Sequence, residues 1–114
     1  MDIELEVTHP WASSLPPNDG FAVGLRALTD DRRIMVVLAG IDLAKASMRA
    51  DELTARFWSA LLLNLKQRIA LELMADFDDR PLVVEVTSME MLRAMDRARS
   101  TEMLPDLTMI GAHF

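Results

Sequence analysis

Apolar residues recur at steps of three and four through residues 58–73, and this pattern constrains the fold more than any other feature of the chain. The residues that share it are Trp58, Leu61, Leu62, Leu65, Ile69 and Leu73. Such spacing gathers apolar side chains into one broad stripe of an α-helix, which another layer of structure must cover. The Ser47 hydroxyl is suited to capping free amides at a helix start. We therefore predict one long helix from near Ser47 to about Met74 or Asp76.

Two leucines of this predicted helix do not belong to the stripe. Leu63 and Leu71 project away from it, toward a second contact with another element or another subunit. The excess of apolar surface favours association with a protein partner, including a second copy of the chain in a homodimer.

The first third of the chain has the patterns of three strands. Residues 3–8 alternate between apolar and polar side chains, which is typical of a strand with one wet face. Residues 21–27 predict a second strand, and the polar residues 29–32 predict a tight turn that favours an antiparallel hairpin. The third strand, Ile34–Ala39, is apolar without interruption, so we expect both of its faces to be covered.

The second half of the chain adds a strand and a helix. Leu82–Val86 predicts a strand, and the capping-box pair Thr87 and Glu90 predicts a helix that continues to about Arg99. Leu107–Phe114 has the composition of an optional last strand. The predicted fold is α/β of the α+β type: a single domain spanning residues 1–114, with a mixed sheet in the order β-β-β-α-β-α(-β) and one long central helix packed on it.

The segment His9–Gly20 contains three prolines and ends in Asn-Asp-Gly, which predicts a stiff, irregular loop. Trp11 and Leu15 lie within it. A rigid aromatic side chain in such a loop is suited to anchoring a protein partner. The alternative is that the indole folds back and seals the edge of the sheet.

The parallel crossover predicts a second candidate region. If the strands before Gly40 and Thr87 are parallel, the helices that follow them begin at one edge of the sheet. Asp42, Ser47, Thr87 and Ser88 would then gather near helix amino termini, which favour anions. The alternative is that the hydroxyl groups only cap their own helices.

Nine methionines are many for this length. Methionine adapts to irregular partners and also fills gaps in cores. Met91 and Met103 are candidates for a binding surface if they are exposed, and core residues if they are not.

The composition argues against several classes of function. The chain has 18 acidic against 12 basic residues, no tyrosine and no basic run, so we expect no nucleic-acid binding. Mimicry of nucleic acid by acidic side chains would require Glu4, Glu6, Asp30 and Asp31 to share one surface. The sequence has no cysteine and only two histidines, which lie far apart, so we assign no metal, cofactor or catalytic residue.

No apolar run approaches the length of about 20 residues that a membrane-spanning helix needs. The first residues show neither a basic region nor the apolar stretch of a secretory signal, so we expect a cytoplasmic protein.

The stretch Val36–Asp42, leading into Ala50–Leu53, resembles the junction between strand and helix in STAS-like domains. The paired serines of that pattern are absent here. We transfer no activity and no site residue from this resemblance.

These patterns favour a non-catalytic protein–protein interaction domain, such as a small bacterial or phage accessory protein, a regulator, an inhibitor or an immunity protein. The alternatives are a domain or minor enzyme that binds a small anion at the sheet edge, and an acidic mimic of nucleic acid.

Overall fold

The computed structural model describes residues 5–15, 18–28, 31–75, 80–100 and 103–104. These residues form a mixed four-stranded sheet with helices, an α+β fold. The elements are β1 (Leu5–Leu15), β2 (Asn18–Ala27), β3 (Arg33–Leu38), α1 (Gly40–Lys45), a 3₁₀ helix (Ala50–Glu52), α2 (Ala55–Ala75), β4 (Leu82–Glu85) and α3 (Ser88–Ala98). The predicted last strand, Leu107–Phe114, lies outside the described residues.

The strands follow the order β1-β2-β3-β4 across the sheet. β1 pairs with β2 and β2 with β3 in antiparallel fashion, whereas β3 and β4 are parallel. This arrangement confirms the predicted hairpin between the second and third strands. It also confirms that a helical crossover joins two parallel neighbours, because α1 and α2 lie between β3 and β4 in the chain.

The predicted loop His9–Gly20 is wrong, because β1 continues to Leu15 and β2 already begins at Asn18. The pairing of β1 with β2 is irregular, with register shifts near His9 and Leu15. β1 has a partner on one side only among the described strands, so Pro10 can occupy it without breaking a ladder on the other side. The proline content of His9–Gly20 therefore predicted a loop, whereas residues 9–15 belong to an edge strand.

Gly20 marks the place where β2 passes the end of β3. A Cβ atom at this position would lie 2.4 Å from the carbonyl oxygen of Leu38, far closer than two such atoms can approach. The absence of a side chain allows the two backbones to meet just before the chain turns into α1.

The long helix begins later than predicted. Ser47 follows α1 with a φ of 54°. This left-handed conformation does not start a helix, so Ser47 caps nothing in α2. Thr54 takes that role instead, because its Oγ1 accepts a hydrogen bond of 3.2 Å from the amide of Phe57. Such a bond satisfies one of the free amides at a helix start. α2 runs for 21 residues from Ala55.

One core joins the strands to the helices. The predicted stripe of α2 is buried from Trp58 to Ile69, while Leu73 is partly buried at its end. The aromatic rings of Phe57 and Trp58 meet edge to face with centroids 5.9 Å apart. Aromatic rings favour this arrangement because the positive edge of one meets the negative face of the other. α3 lies antiparallel to α2, and Met91 is among its core residues.

The prediction that both faces of β3 are covered is wrong. Ile34, Val36 and Leu38 are buried, whereas Arg33, which precedes them, and Met35, which lies between the first two, are exposed. The physical reason is that both helices pack against one face of the sheet, so alternate residues of an entirely apolar strand face away from the core.

Candidate functional site

The face of the sheet opposite the helices is the candidate functional site, and we call it the open face. It consists of the residues that alternate with the buried strand residues: Glu6, Thr8, Ala22, Gly24, Arg26, Arg33, Met35, Val37, Val83 and Glu85. Every one of them is exposed or half-buried. The sheet thus presents a broad surface that the helices leave uncovered.

The centre of the open face is apolar. Gly24 pairs with Met35 across β2 and β3, and Met35 pairs with Val83 across β3 and β4, so the three form one row. The side chain of Met35 is 39% exposed and that of Val83 is 55% exposed. A row of this kind on a solvated sheet face usually carries polar side chains, which makes its apolar character informative.

Gly24 also shapes the surface. Because it has no side chain, a shallow depression of about 470 Å³ opens beside Met35. The depression is lined by Thr8, Gly24, Leu25, Arg26, Arg33, Ile34, Met35 and Pro81.

Three charged side chains meet at the β1–β2 side of the open face. Arg26 forms ion pairs with Glu6 and with Asp31, the latter at 3.0 Å. The hydrogen bond to Glu6, together with the attraction of both carboxylates, raises the pKa of Arg26. Arg26 and its two carboxylate partners are therefore paired with one another, and the cluster carries one net negative charge.

Arg33 and Glu85 differ from that cluster. Both side chains are exposed, and neither forms an ion pair with another residue in the part of the chain that the structure describes. Arg33 lies two residues before Met35, and Glu85 lies two residues after Val83. The apolar row is therefore flanked on opposite sides by two opposite charges that form no ion pair among the described residues.

The sheet edge predicted to bind anions is built differently from the open face. Thr87 and Glu90 form the predicted capping box. The Thr87 amide donates to Glu90 Oε1 at 2.9 Å, and the Glu90 amide donates to Thr87 Oγ1 at 3.2 Å. Ser88 begins α3 and is half-buried. The amides of Thr87 and Glu90 are thus already hydrogen-bonded in the cap and do not remain free for an anion. The cap also places the carboxylate of Glu90 beside them.

The other members of that edge add no further donors to a common site. Asp42 lies in the first turn of α1, where its carboxylate adds a second negative charge near a helix start. Ser47 lies beyond the other end of that helix and is exposed. Because β3 and β4 are parallel, Asp42 and Thr87 follow strands that end at the same edge of the sheet. Ser47 does not have the geometry of a helix cap.

A second depression, of about 460 Å³, lies between α2 and α3 and is lined by Asn64, Leu65, Glu90, Arg93 and Arg97. Three of its polar side chains, Asn64, Glu90 and Arg97, are hydrogen-bonded within the protein. Arg68 donates to Glu90 Oε1 at 2.7 Å, and Arg97 donates to Asn64 Oδ1 at 2.6 Å. These bonds fasten the antiparallel helices together, so we assign them a structural role.

Glu90, which lines this depression, forms hydrogen bonds with both Arg68 and Thr87. Burial of its carboxylate raises the pKa, but the hydrogen bonds from Thr87 and Arg68 and the charge of Arg68 outweigh that effect. The pKa of Glu90 therefore lies below the ordinary glutamate value.

The residues that the sequence singled out for partner binding are scattered. Leu71 is 57% exposed near the end of α2, and Leu63 is half-buried. Met103 is 93% exposed after α3, whereas Met91 is fully buried, so the exposure that its candidacy required is absent. The structure does not bring these residues together on one surface with the open face.

Trp11 and Leu15 belong to β1 rather than to a loop, and their side chains lie outside the described part of the structure. Their predicted role as anchors stays a prediction.

Sequence reasoning missed the open face, although one signal was present. Arg33, Met35 and Val37 occupy alternate positions of β3, and only Arg33 marks that face as wet. A continuous apolar run hides its own alternation, so the exposed half could not be distinguished from the buried half.

Among the described residues, no cluster of three or more potential ligands is placed to hold a metal ion. Within the same residues, no helix combines the length and apolar character needed to cross a bilayer. Comparison with protein-family models, curated proteins and solved structures found no match for this chain.

Proposed function

We propose that this protein is a non-catalytic protein–protein interaction domain and that the open face is its contact surface. The observation that carries the proposal is the row of Gly24, Met35 and Val83, which exposes apolar side chains on a face that the helices leave uncovered. Contiguous apolar surface on a folded domain commonly marks a site of association.

The energetics favour a partner on this surface. Complete burial of a side chain such as Met or Val is worth roughly 1.5–3 kcal/mol relative to full exposure. The half-exposed Met35 and Val83 retain part of that free energy. A partner that covers them gains it without unfolding any part of the domain. Ion pairs at the rim then contribute to orientation more than to affinity.

The two other predicted functions receive less support. An anion at the sheet edge would meet the carboxylates of Asp42 and Glu90 together with amides already bound in a cap. Mimicry of nucleic acid requires free carboxylates, whereas Glu6 and Asp31 share the guanidinium of Arg26. Glu4 and Asp30 lie outside the described residues.

An affinity pull-down from a lysate of the native host tests the proposal. Three forms of the chain serve as bait: wild type, Val83→Asp and Leu71→Asp. Both substitutions place a charge on an exposed apolar position, so Leu71→Asp is a matched control on a different surface. We expect the wild type and Leu71→Asp to retain the same bound protein, and Val83→Asp to lose it.

Equal retention by all three baits would contradict the open face as the contact surface. Loss with Leu71→Asp alone would move the surface to the outer side of α2, where the sequence first placed it.

A further inference from the structure

The open face has a charge pattern that is complementary to itself. Met35 and Val83 are paired neighbours, Arg33 lies two residues before the first and Glu85 two residues after the second. The two charges therefore lie at equal offsets on opposite sides of the apolar row, separated along the strands by roughly 13 Å at about 3.3 Å per residue.

Resting on the proposed function, we propose that the partner on the open face is a second copy of this chain. The two sheets pack face to face about a two-fold axis that runs along the row of Gly24, Met35 and Val83. The axis reverses the strand direction of one copy, so Arg33 of each copy lies opposite Val37 of the other and diagonally across from Glu85, which is one strand spacing of about 4.8 Å to the side. Sheets pack about 10 Å apart with nearly aligned strands, a distance that long Arg and Glu side chains can bridge.

Only the side chains on the axis itself meet the same side chain of the other copy, and these are apolar. Met35 faces Met35 and Val83 faces Val83, which buries apolar surface against apolar surface. A two-fold interface is isologous, so every contact made by Arg33 and Glu85 occurs twice in the dimer. One symmetry operation thus gives partners to both unpaired charges and covers both exposed apolar side chains.

Charge also argues for a second copy over a partner of another kind. The net charge of the chain is −6, which would draw a basic partner to an acidic surface. The open face is not such a surface, because Glu6 and Glu85 are balanced by Arg26 and Arg33. A locally neutral patch with one unpaired charge of each sign matches itself better than it matches a strongly charged protein.

The size of the patch sets the expected affinity. Four strands about 4.8 Å apart and some six residues long present roughly 400 Å² of sheet. Standard interfaces bury about 800 Å² on each partner, so this contact belongs to the smaller class. We expect a reversible dimer whose mass changes with protein concentration.

The decisive experiment uses charge exchange between the two copies. The purified full-length chain is examined by sedimentation velocity over a range of concentrations as wild type, Arg33→Glu, Glu85→Arg and the double variant. Each single variant puts like charges at both contacts, and we expect its dimer Kd to rise about tenfold or more. The double variant restores opposite charges and should regain most of the affinity.

Mixing the two single variants gives the sharpest outcome. Arg33→Glu alone and Glu85→Arg alone are each self-repelling, but the mixed pair has opposite charges at both contacts. We expect the mixture to form heterodimers at concentrations where each variant is monomeric. Circular dichroism spectra and melting of each variant provide the control for folding. Val83→Asp tests the apolar contact independently of the charge pairs, and we expect it to weaken the dimer as well.

A wild-type chain that stays monomeric to the highest soluble concentration overturns this proposal. So does a dimer that is indifferent to Arg33→Glu, Glu85→Arg and Val83→Asp, since it must use another surface. The proposed function fails separately: a monomeric chain that still captures a different protein, and loses it with Val83→Asp, would retain the contact surface while excluding the second copy.

Discussion

The two faces of the sheet both contain large apolar residues, but in opposite environments. On the covered face Ile34, Val36 and Leu38 are buried, and on the open face Met35 and Val83 are exposed, although all five are apolar. The difference lies in the helices, which pack against one face only. The comparison teaches that residue type alone does not decide burial in this domain: the position of α2 and α3 does.

The largest effect is expected from matched truncations on the two faces. Leu25 is buried on the covered face. Leu25→Ala should therefore lower the free energy of unfolding by about 2–5 kcal/mol. Val83 is exposed, so Val83→Ala should cost less than about 1 kcal/mol. Urea denaturation, at a concentration where the chain is monomeric, measures both. Similar losses at the two positions would mean that the faces are equally covered and would break the comparison.

A smaller effect concerns the helix that makes one face different from the other. Thr54 caps α2. Thr54→Ala should therefore reduce the free energy of unfolding by about 1 kcal/mol, within the range of roughly 0.5–2 kcal/mol for such caps. Ser47→Ala is the matched control, and its effect should stay within about 0.5 kcal/mol because Ser47 caps nothing in α2. A larger loss of stability for Ser47→Ala than for Thr54→Ala would place the start of the helix near Ser47, as the sequence pattern predicted.

The smallest effect is a dependence on pH at the α2–α3 contact behind the covered face. The pKa of Glu90 is lowered in the folded chain, so its ionised form stabilises the fold above the ordinary glutamate pKa. That contribution is lost as the pH falls below the ordinary value and through the lower value of the folded state. Glu90→Gln cannot lose a proton, so we expect its stability and that of the wild type to converge toward acidic pH.

Urea titrations of both proteins between neutral and acidic pH measure this convergence. A constant difference across the range would show that Glu90 acts through packing or neutral hydrogen bonds, and the two faces would then differ by helix packing alone.

Local patterns predicted the elements that depend on neighbouring residues. The capping box of Thr87 and Glu90 arises from contacts within four residues, and the apolar spacing of α2 is a local property of the chain, so the sequence was sufficient to predict both. Two elements were wrong for a physical reason. Ser47 has the chemistry of a cap but a left-handed backbone, and Pro10 of β1 is compatible with an edge strand as well as with a loop.

The candidate site was less predictable than the fold. Leu63 and Leu71 indicated surplus apolar surface on the long helix, but the sequence did not indicate the exposed Met35 and Val83 on the sheet. A period of two is visible only when apolar and polar residues alternate, and β3 is apolar at nearly every position.

The sequence by itself determined that this chain forms a mixed sheet crossed by an amphipathic helix, because strand and helix periodicities are local properties of the chain. Only the tertiary structure decided which face of the sheet the helices cover, where α2 begins, and that Arg33 and Glu85 flank an exposed apolar row. Those features depend on how distant segments pack. The residue types of an apolar strand do not indicate which of its two faces the helices cover.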